Sequence, residues 1–193
     1  DEYQLSTDEV DALTGPALGR AKSATFRTAD LTGLDVLDHV AKELARATGE
    51  DIELPDWVKQ LIARGQLGEK TGAGFYRKVG KEIETLDRQK LEYAPPRKPD
   101  PDVAGELSRL PLPERFVRAK ATSGKYGDFM RAYLVRLSHF VLERTPQLAY
   151  DLPSVDRAME WGYAWEAGPF KQMDMLGLDF LRTEFRKMKL GEP

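Results

Sequence analysis

Val10 to Leu37 reads VDALTGPALGRAKSATFRTADLTGLDVL, and Val155 to Leu181 reads VDRAMEWGYAWEAGPFKQMDMLGLDFL. The second stretch repeats the first. Val10-Asp11 matches Val155-Asp156, Gly19 falls near Gly162, and Phe26 matches Phe170. Asp30, Gly33, Leu34 and Asp35 match Asp174, Gly177, Leu178 and Asp179. The offset is 145 residues at Asp11 and 144 from Phe26 onward, so one residue was gained or lost between. Two copies are too few for a solenoid, which needs at least about three repeats, so the pattern is a duplicated module.

Helical periodicity surrounds both copies. Ser6 and Glu9 form a capping box ahead of a short helix that stops at Gly15-Pro16. Leu34, Leu37, Val40, Ala41 and Leu44 recur at helical spacing until Gly49, in a helix expected to open near Asp30. Pro55 leads a third helix carrying Trp57, Val58, Leu61 and Ile62. A long helix over about residues 125–144 precedes the second copy, with Phe129, Tyr133, Leu137, Phe140 and Val141 as its apolar stripe. Residues 74–78 and 82–86 flank Val79-Gly80-Lys81 and predict a small β-hairpin. Six prolines between Tyr93 and Pro113 argue for a surface linker. The expectation is an all-α chain with a first module over 1–78, a hairpin strand and linker over 79–115, and a second module over 116–193.

The repeat exposes an absence. Subtracting the offset places the counterpart of the long helix before residue 1, so the first module is expected to lack its opening helix. Leu37, Val40, Leu44, Trp57 and Leu61 would then need another cover: the second module's long helix, the linker, or a second copy of the chain in a homodimer.

Composition narrows the function classes. The 193 residues include 41% hydrophobic and 32% charged positions, fitting a globular protein with a charged surface. A net charge of −3 argues against a nucleic-acid partner, which usually meets a basic footprint. No apolar run approaches the roughly 18–20 residues of a membrane span. The lack of cysteine excludes a disulfide framework or thiolate metal site and fits a cytoplasmic location.

Individual motifs give mostly structural readings. Asp30 and Asp174 suit helix capping, with Asp35 and Asp179 in first helical turns; paired catalytic carboxylates are the alternative. Gly68-Glu69-Lys70-Thr71-Gly72-Ala73-Gly74 fails the P-loop spacing, because Lys70 falls where the second glycine must be. It also fails the dinucleotide fingerprint, whose third glycine would sit at Arg77. A tight turn remains, with Lys70 able to meet an anion. His39 and His139 each precede a glutamate by four residues, Glu43 and Glu143, and read as surface pairs; a metal site would need a third ligand. Trp161, Tyr163, Trp165 and Phe170 read as core or interface packing.

Together these residues resemble the C-terminal helical domain of the 3-hydroxyacyl-CoA dehydrogenase family. The shared pattern is Asp156, Gly162, Gly168-Pro169-Phe170, Asp174 and Gly177-Leu178-Asp179 in the second copy. In the first copy it is Asp11, Gly19, Phe26, Asp30, Gly33-Leu34-Asp35, then Lys70, Gly72 and Gly74-Phe75-Tyr76. The stretch Gly19 to Phe26 looks like the form in long multifunctional fatty-acid β-oxidation proteins, where this domain is duplicated. The resemblance implies a 6-phosphogluconate-dehydrogenase C-terminal-like helical fold. It also implies NAD in the parent enzyme, none in this chain, and as partners an upstream Rossmann domain and 3-hydroxyacyl-CoA. The catalytic His–Glu pair would lie in that Rossmann domain. A substrate-contacting Asn in the family's GF..NR stretch has no counterpart in Gly127-Asp128-Phe129-Met130-Arg131-Ala132-Tyr133. The second copy therefore looks like a non-catalytic duplicate, and the chain is not expected to turn over substrate alone. By the same resemblance, Arg20, Ala21, Lys22, Ser23 and Phe26 line the acyl side of the cleft. The rival reading is a freestanding all-α module that binds another protein through an apolar groove.

Overall fold

The computed structural model describes residues 2–191. Its chain divides into an N-terminal unit, Leu5–Asp11 with Ser23–Lys98, and a C-terminal unit, Asp1–Gln4 with Ala12–Lys22 and Pro99–Pro193. The segment expected as hairpin strand and linker, 79–115, is divided: up to Lys98 it folds with the N-terminal unit and from Pro99 with the C-terminal one. Proline breaks the chain there without preventing short helices between the breaks.

Helix α1, Thr7–Thr14, opens on the expected capping box: the Ser6 amide donates to Glu9 Oε2 at 2.8 Å and the Glu9 amide meets Ser6 Oγ at 3.4 Å. Its residues to Asp11 belong to the N-terminal unit. Then come α2 (Phe26–Thr32), α3 (Leu34–Thr48) and α4 (Asp56–Ala63). The hairpin is present, with a third strand that was not expected: β1 (Tyr76–Val79), β2 (Glu82–Asp87) and β3 (Glu92–Ala94) form an antiparallel sheet in that order. Tyr76 pairs with Thr85, and Leu86 with Tyr93. Leu34, Val58, Leu61, Phe75 and Leu86 make the core, with Phe26, Leu37 and Trp57 packed on it. Phe26 meets Phe75 edge-on at 4.8 Å between ring centroids, the arrangement that aromatic quadrupoles favour.

That sheet answers much of the missing-helix expectation. Leu61 is buried, and Leu37 and Trp57 are half-buried, because the sheet and α4 cover them. Val40 and Leu44 stay 47% and 48% exposed, in an i, i+4 row with Val36.

The C-terminal unit is helical. It contains α5 (Val103–Ser108), α6 (Leu112–Ala121), α7 (Gly124–Leu148), α8 (Leu152–Tyr163), α9 (Pro169–Leu176) and α10 (Leu178–Lys187). Helix α5 lies inside the expected linker; Asp102 caps it by accepting the Gly105 amide at 3.0 Å, and Leu107 buries beneath it. Helix α7 is the expected long helix and packs on α6, α9 and α10. Phe116, Met130, Leu134, Val135, Leu176 and Leu181 are fully buried in this unit.

The repeated aspartates behave differently from the capping expectation. Asp11 lies on α1, and its carboxylate accepts the amides of Thr25, Phe26 and Arg27 at 3.0, 2.6 and 2.9 Å. Those amides open α2, where no local side chain supplies a cap. Asp156, on α8, likewise accepts the amides of Phe170 and Lys171 at 2.8 and 3.3 Å at the start of α9. A helix N-terminus carries unpaired N–H groups and a positive dipole end, so a carboxylate there satisfies both. Gly168 permits this approach: a Cβ on it would stand 2.2 Å from the Asp156 Cα. Asp11 also accepts the Tyr76 hydroxyl at 2.7 Å.

Asp30 and Asp174 do not open helices. They sit within α2 and α9, and the following helices begin after Gly33 and Gly177. Asp30 accepts the amides of Phe75 and Tyr76, both at 2.8 Å, and so ties α2 to the sheet. Asp174 is exposed, and no second Gly-Phe-Tyr turn follows it in the sequence.

Removing these acceptors has a sign and a size. Asp11→Ala strands three amides and a phenol, and is expected to cost the N-terminal unit about 2–4 kcal/mol. Asp156→Ala, which strands two amides, is expected to cost the C-terminal unit about 1–2 kcal/mol. Urea unfolding followed unit by unit through amide NMR signals checks the order. Burial raises the Asp11 carboxyl above its ordinary 3.8 although its hydrogen bonds pull the other way. A raised folded value means a contribution fully present below 3.8 and lost as pH rises through the folded value. The stability advantage of wild type over Asp11→Asn should therefore be larger near about pH 4 than near about pH 7.

Candidate functional site

The loop from Gly15 to Phe26 carries the residues expected to face substrate, and the chain divides inside it. Arg20, Ala21 and Lys22 belong to the C-terminal unit, while Ser23 and Phe26 belong to the N-terminal unit. Within the C-terminal unit, Gly19 turns the chain at φ +69° and its carbonyl accepts the Glu166 amide at 2.9 Å. Arg115 braces the same loop, donating to the Pro16 carbonyl at 2.8 Å and to Glu166 Oε1 at 2.7 Å.

Arg20 is buried. Its two terminal nitrogens donate to the Leu18 carbonyl and to Gln172 Oε1, each at 2.9 Å, and its guanidinium lies 3.5 Å from the Trp165 ring centroid. Burial lowers its pKa from the ordinary arginine value. Here a guanidinium acts as a rigid, planar anchor, stacked and hydrogen-bonded at once. Ala21 is half-buried and Lys22 is exposed.

In the N-terminal unit, Ser23 is half-buried, with its Oγ 2.8 Å from the Thr28 hydroxyl. Phe26 belongs to the aromatic packing of that unit, 4.8 Å from Phe75 and 6.4 Å from Trp57 between centroids. The Arg88 guanidinium stands 5.6 Å from its ring centroid. Of the five expected residues, Lys22 is the one that presents an exposed charge.

The Gly68–Gly74 turn is built around Asp30. A Cβ on Gly68 would stand 2.3 Å from the Asp30 carbonyl oxygen, and one on Gly74 would stand 2.2 Å from Asp30 Oδ1. Those two glycines let the backbone amides of Phe75 and Tyr76 reach the carboxylate. Lys70, at the outer side of the turn, pairs with both Asp35 oxygens at 2.5 and 2.7 Å, and this lowers the Asp35 carboxyl below its ordinary value.

The other sequence candidates separate. Glu43 pairs with Arg46 instead of His39, which is exposed. His139 is buried, with Nδ1 3.3 Å from Glu143 and Nε2 3.0 Å from the Gly191 carbonyl. Among the described residues no group of three acidic or histidine side chains converges as a metal site would require. Trp161 and Tyr163 are 80% and 63% exposed, so they do not enter the core, whereas Trp165 stacks on Arg20. Sequence reasoning missed the remote capping by Asp11 and Asp156. Their retention in both copies was the signal.

Chemically, the carboxylates of the half-buried Asp11 and the buried Asp30 and Asp156 all accept backbone amides and hold structure. Burial raises Asp30 and Asp156 as it does Asp11.

Known proteins agree with the motif. Residues 1–78 match the family described as 3-hydroxyacyl-CoA dehydrogenase, C-terminal domain. The chain is similar to a Bacillus subtilis protein named "Probable 3-hydroxyacyl-CoA dehydrogenase", 37% identical over 192 residues, covering 91% of this chain and 23% of that protein. A Deinococcus radiodurans protein of the same name is 54% identical over 81 residues, covering 41% of this chain and 23% of that protein. A Rickettsia prowazekii protein named "Putative fatty acid oxidation complex trifunctional enzyme" is 24% identical over 172 residues, covering 84% of this chain and 22% of that protein. The chain therefore spans less than a quarter of the length of these relatives. Residues 1–78, with the Asp11, Asp30 and Gly74-Phe75-Tyr76 frame just described, thus form a C-terminal domain of the 3-hydroxyacyl-CoA dehydrogenase family.

Proposed function

We propose that the chain is the substrate-side and assembly part of an NAD-dependent 3-hydroxyacyl-CoA dehydrogenase of fatty-acid β-oxidation, acting in the cytoplasm. The observation that carries this reading is the family match over residues 1–78, the segment that holds the Asp11 and Asp30 ties. The chemistry is oxidation of the 3-hydroxyl of an acyl-CoA to a ketone. NAD supplies the hydride acceptor when it is bound to a preceding Rossmann domain of the parent polypeptide.

The residues of this chain do not fit the dinucleotide itself. A nucleotide crevice of that type forms at the carboxyl ends of parallel strands, beside a glycine-rich strand-to-helix turn. The sheet here is an antiparallel meander of three strands, and the Gly68–Gly74 turn enters a strand. What the chain contributes is position. In the C-terminal unit Arg20 anchors the stretch that ends in Lys22, which presents a cation; in the N-terminal unit the Asp11 and Asp30 ties hold Phe26 and α2 on the sheet. Each is a rigid surface of the kind that orients a substrate and excludes water from a hydride transfer made elsewhere. In the C-terminal unit the corresponding frame serves as scaffold. No helix among the described residues is long and apolar enough to cross a membrane.

Two measurements test the reading. The purified 193-residue chain, given a 3-hydroxyacyl-CoA and NAD, should form no NADH above a no-enzyme control; turnover would place the active site in this chain. In the complete parent polypeptide, Lys22→Ala should raise KM for the acyl-CoA about two- to fivefold, the contribution of one exposed charge, with kcat nearly unchanged. Unchanged KM would remove Lys22 from the substrate side.

A further inference from the structure

A cleft of about 220 Å³ opens in the N-terminal unit between α2, the Gly68–Gly74 turn and the β1–β2 hairpin. The proposed reaction gives it no role. Its walls carry Arg27 from α2, Arg77 and Lys78 from β1, and Glu69 from the turn, over a floor of Tyr76 and Ile83. These charges are not equally available. Arg77 is held by Glu84 through two of its nitrogens and lies over the Tyr93 ring, 4.2 Å from the centroid. Asp30, at the bottom, is 4% exposed and already accepts two amides.

Arg27 and Lys78 remain. Neither forms an ion pair among the described residues. Arg27 is half-buried with its guanidinium 5.7 Å from the Tyr76 ring centroid, and Lys78 is exposed. Two cations thus stand on different walls of one concavity: Arg27, half-buried, whose charge also favours the ionised Asp30 carboxyl beneath it, and Lys78, exposed.

We propose that this cleft binds a diphosphate group, with Arg27 and Lys78 as its cations. Arg27 supplies the forked donors that match phosphate oxygens, and Lys78 supplies a point charge for the second phosphoryl. The volume supports the size of the ligand: pockets for whole drug-sized molecules run roughly 300–1,000 Å³, so the cleft takes a charged head while any attached body stays outside. A single carboxylate would leave one of the two cations without a counter-charge. Glu69 is exposed at the rim and opposes an anion, which gives the proposal a second sign to test. The inference does not depend on the dehydrogenase reading.

Isothermal titration of the 193-residue chain with inorganic pyrophosphate, ADP and orthophosphate tests it. Pyrophosphate and ADP should bind saturably at one site, and orthophosphate about tenfold more weakly or worse, because it can meet only one of the two cations. Lys78→Ala should weaken pyrophosphate about five- to tenfold, and Glu69→Gln should tighten it about twofold. Arg27→Ala should weaken it as much as Lys78→Ala; if that variant unfolds, Arg27→Lys keeps the charge, loses the fork, and should weaken binding by a smaller factor. ADP binding more tightly than pyrophosphate would mean that the Tyr76–Ile83 floor also holds a base, and equal binding that the diphosphate alone is read. No saturable binding at millimolar pyrophosphate, equal affinity for orthophosphate, or affinity unchanged by Lys78→Ala would overturn the proposal.

Discussion

A carboxylate from one helix closes the amino end of another at two places in the chain, Asp11 at the start of α2 and Asp156 at the start of α9. A short helix such as α2 has few internal hydrogen bonds to hold it, and its first amides have no partners of their own. Asp11 and Asp156 supply those partners from the helix before. The contact fixes where the next helix starts and in which direction it points. It also explains why an aspartate, a glycine-rich stretch and an aromatic recur together. The aspartate needs amides to bind, the chain must approach closely to offer them, and Phe26, the first residue of α2, packs on the core of its unit.

The two copies then diverge in what they build on the same contact. In the first, Asp30 repeats the device at the far end of α2 and captures the backbone of Phe75 and Tyr76, which brings in a three-stranded sheet. The Tyr76 hydroxyl returns to Asp11, so the two carboxylates and one strand close a loop of interactions within the N-terminal unit. Burial and the neighbouring Asp11 charge keep that phenol from ionising. In the C-terminal unit Asp174 faces water, and α7 packs on α9 and α10. By sequence offset, the buried Met173 of α9 and Phe185 of α10 fall where the first stretch has Ala29 and Ala41.

Much of this was legible in the sequence. Local signals fared best: the Ser6–Glu9 capping box and the hairpin around Gly80 each depend on residues close in the chain. The existence of α7 was legible too, but not its buried face: Met130, Leu134, Val135 and His139 are buried, whereas Phe129, Tyr133, Leu137 and Val141 of the expected stripe are half-buried and Phe140 is 56% exposed. The family resemblance rested on the repeat and on Gly74-Phe75-Tyr76, and it held. Asp30 was misread because an aspartate before a helical period looks like an N-cap, while its true partners lie 45 and 46 residues away. The linker was over-read for a similar reason: proline density announces breaks but says nothing of the turn of helix that Asp102 caps between them. For the loop, sequence could place Arg20 near Phe26 but could not show that Gln172 and Trp165 take up its guanidinium.

Amide hydrogen exchange tests the carboxylate contact most directly. The account predicts that the amides of Phe26 and Arg27 exchange slowly in wild type and rapidly in Asp11→Ala, and that Phe170 and Lys171 respond in the same way to Asp156→Ala. Amides in the middle of α7 should be unaffected by either change. If the helix-opening amides exchange equally fast with and without their aspartates, the contact does not hold these helices, and the duplicated motif has some other cause.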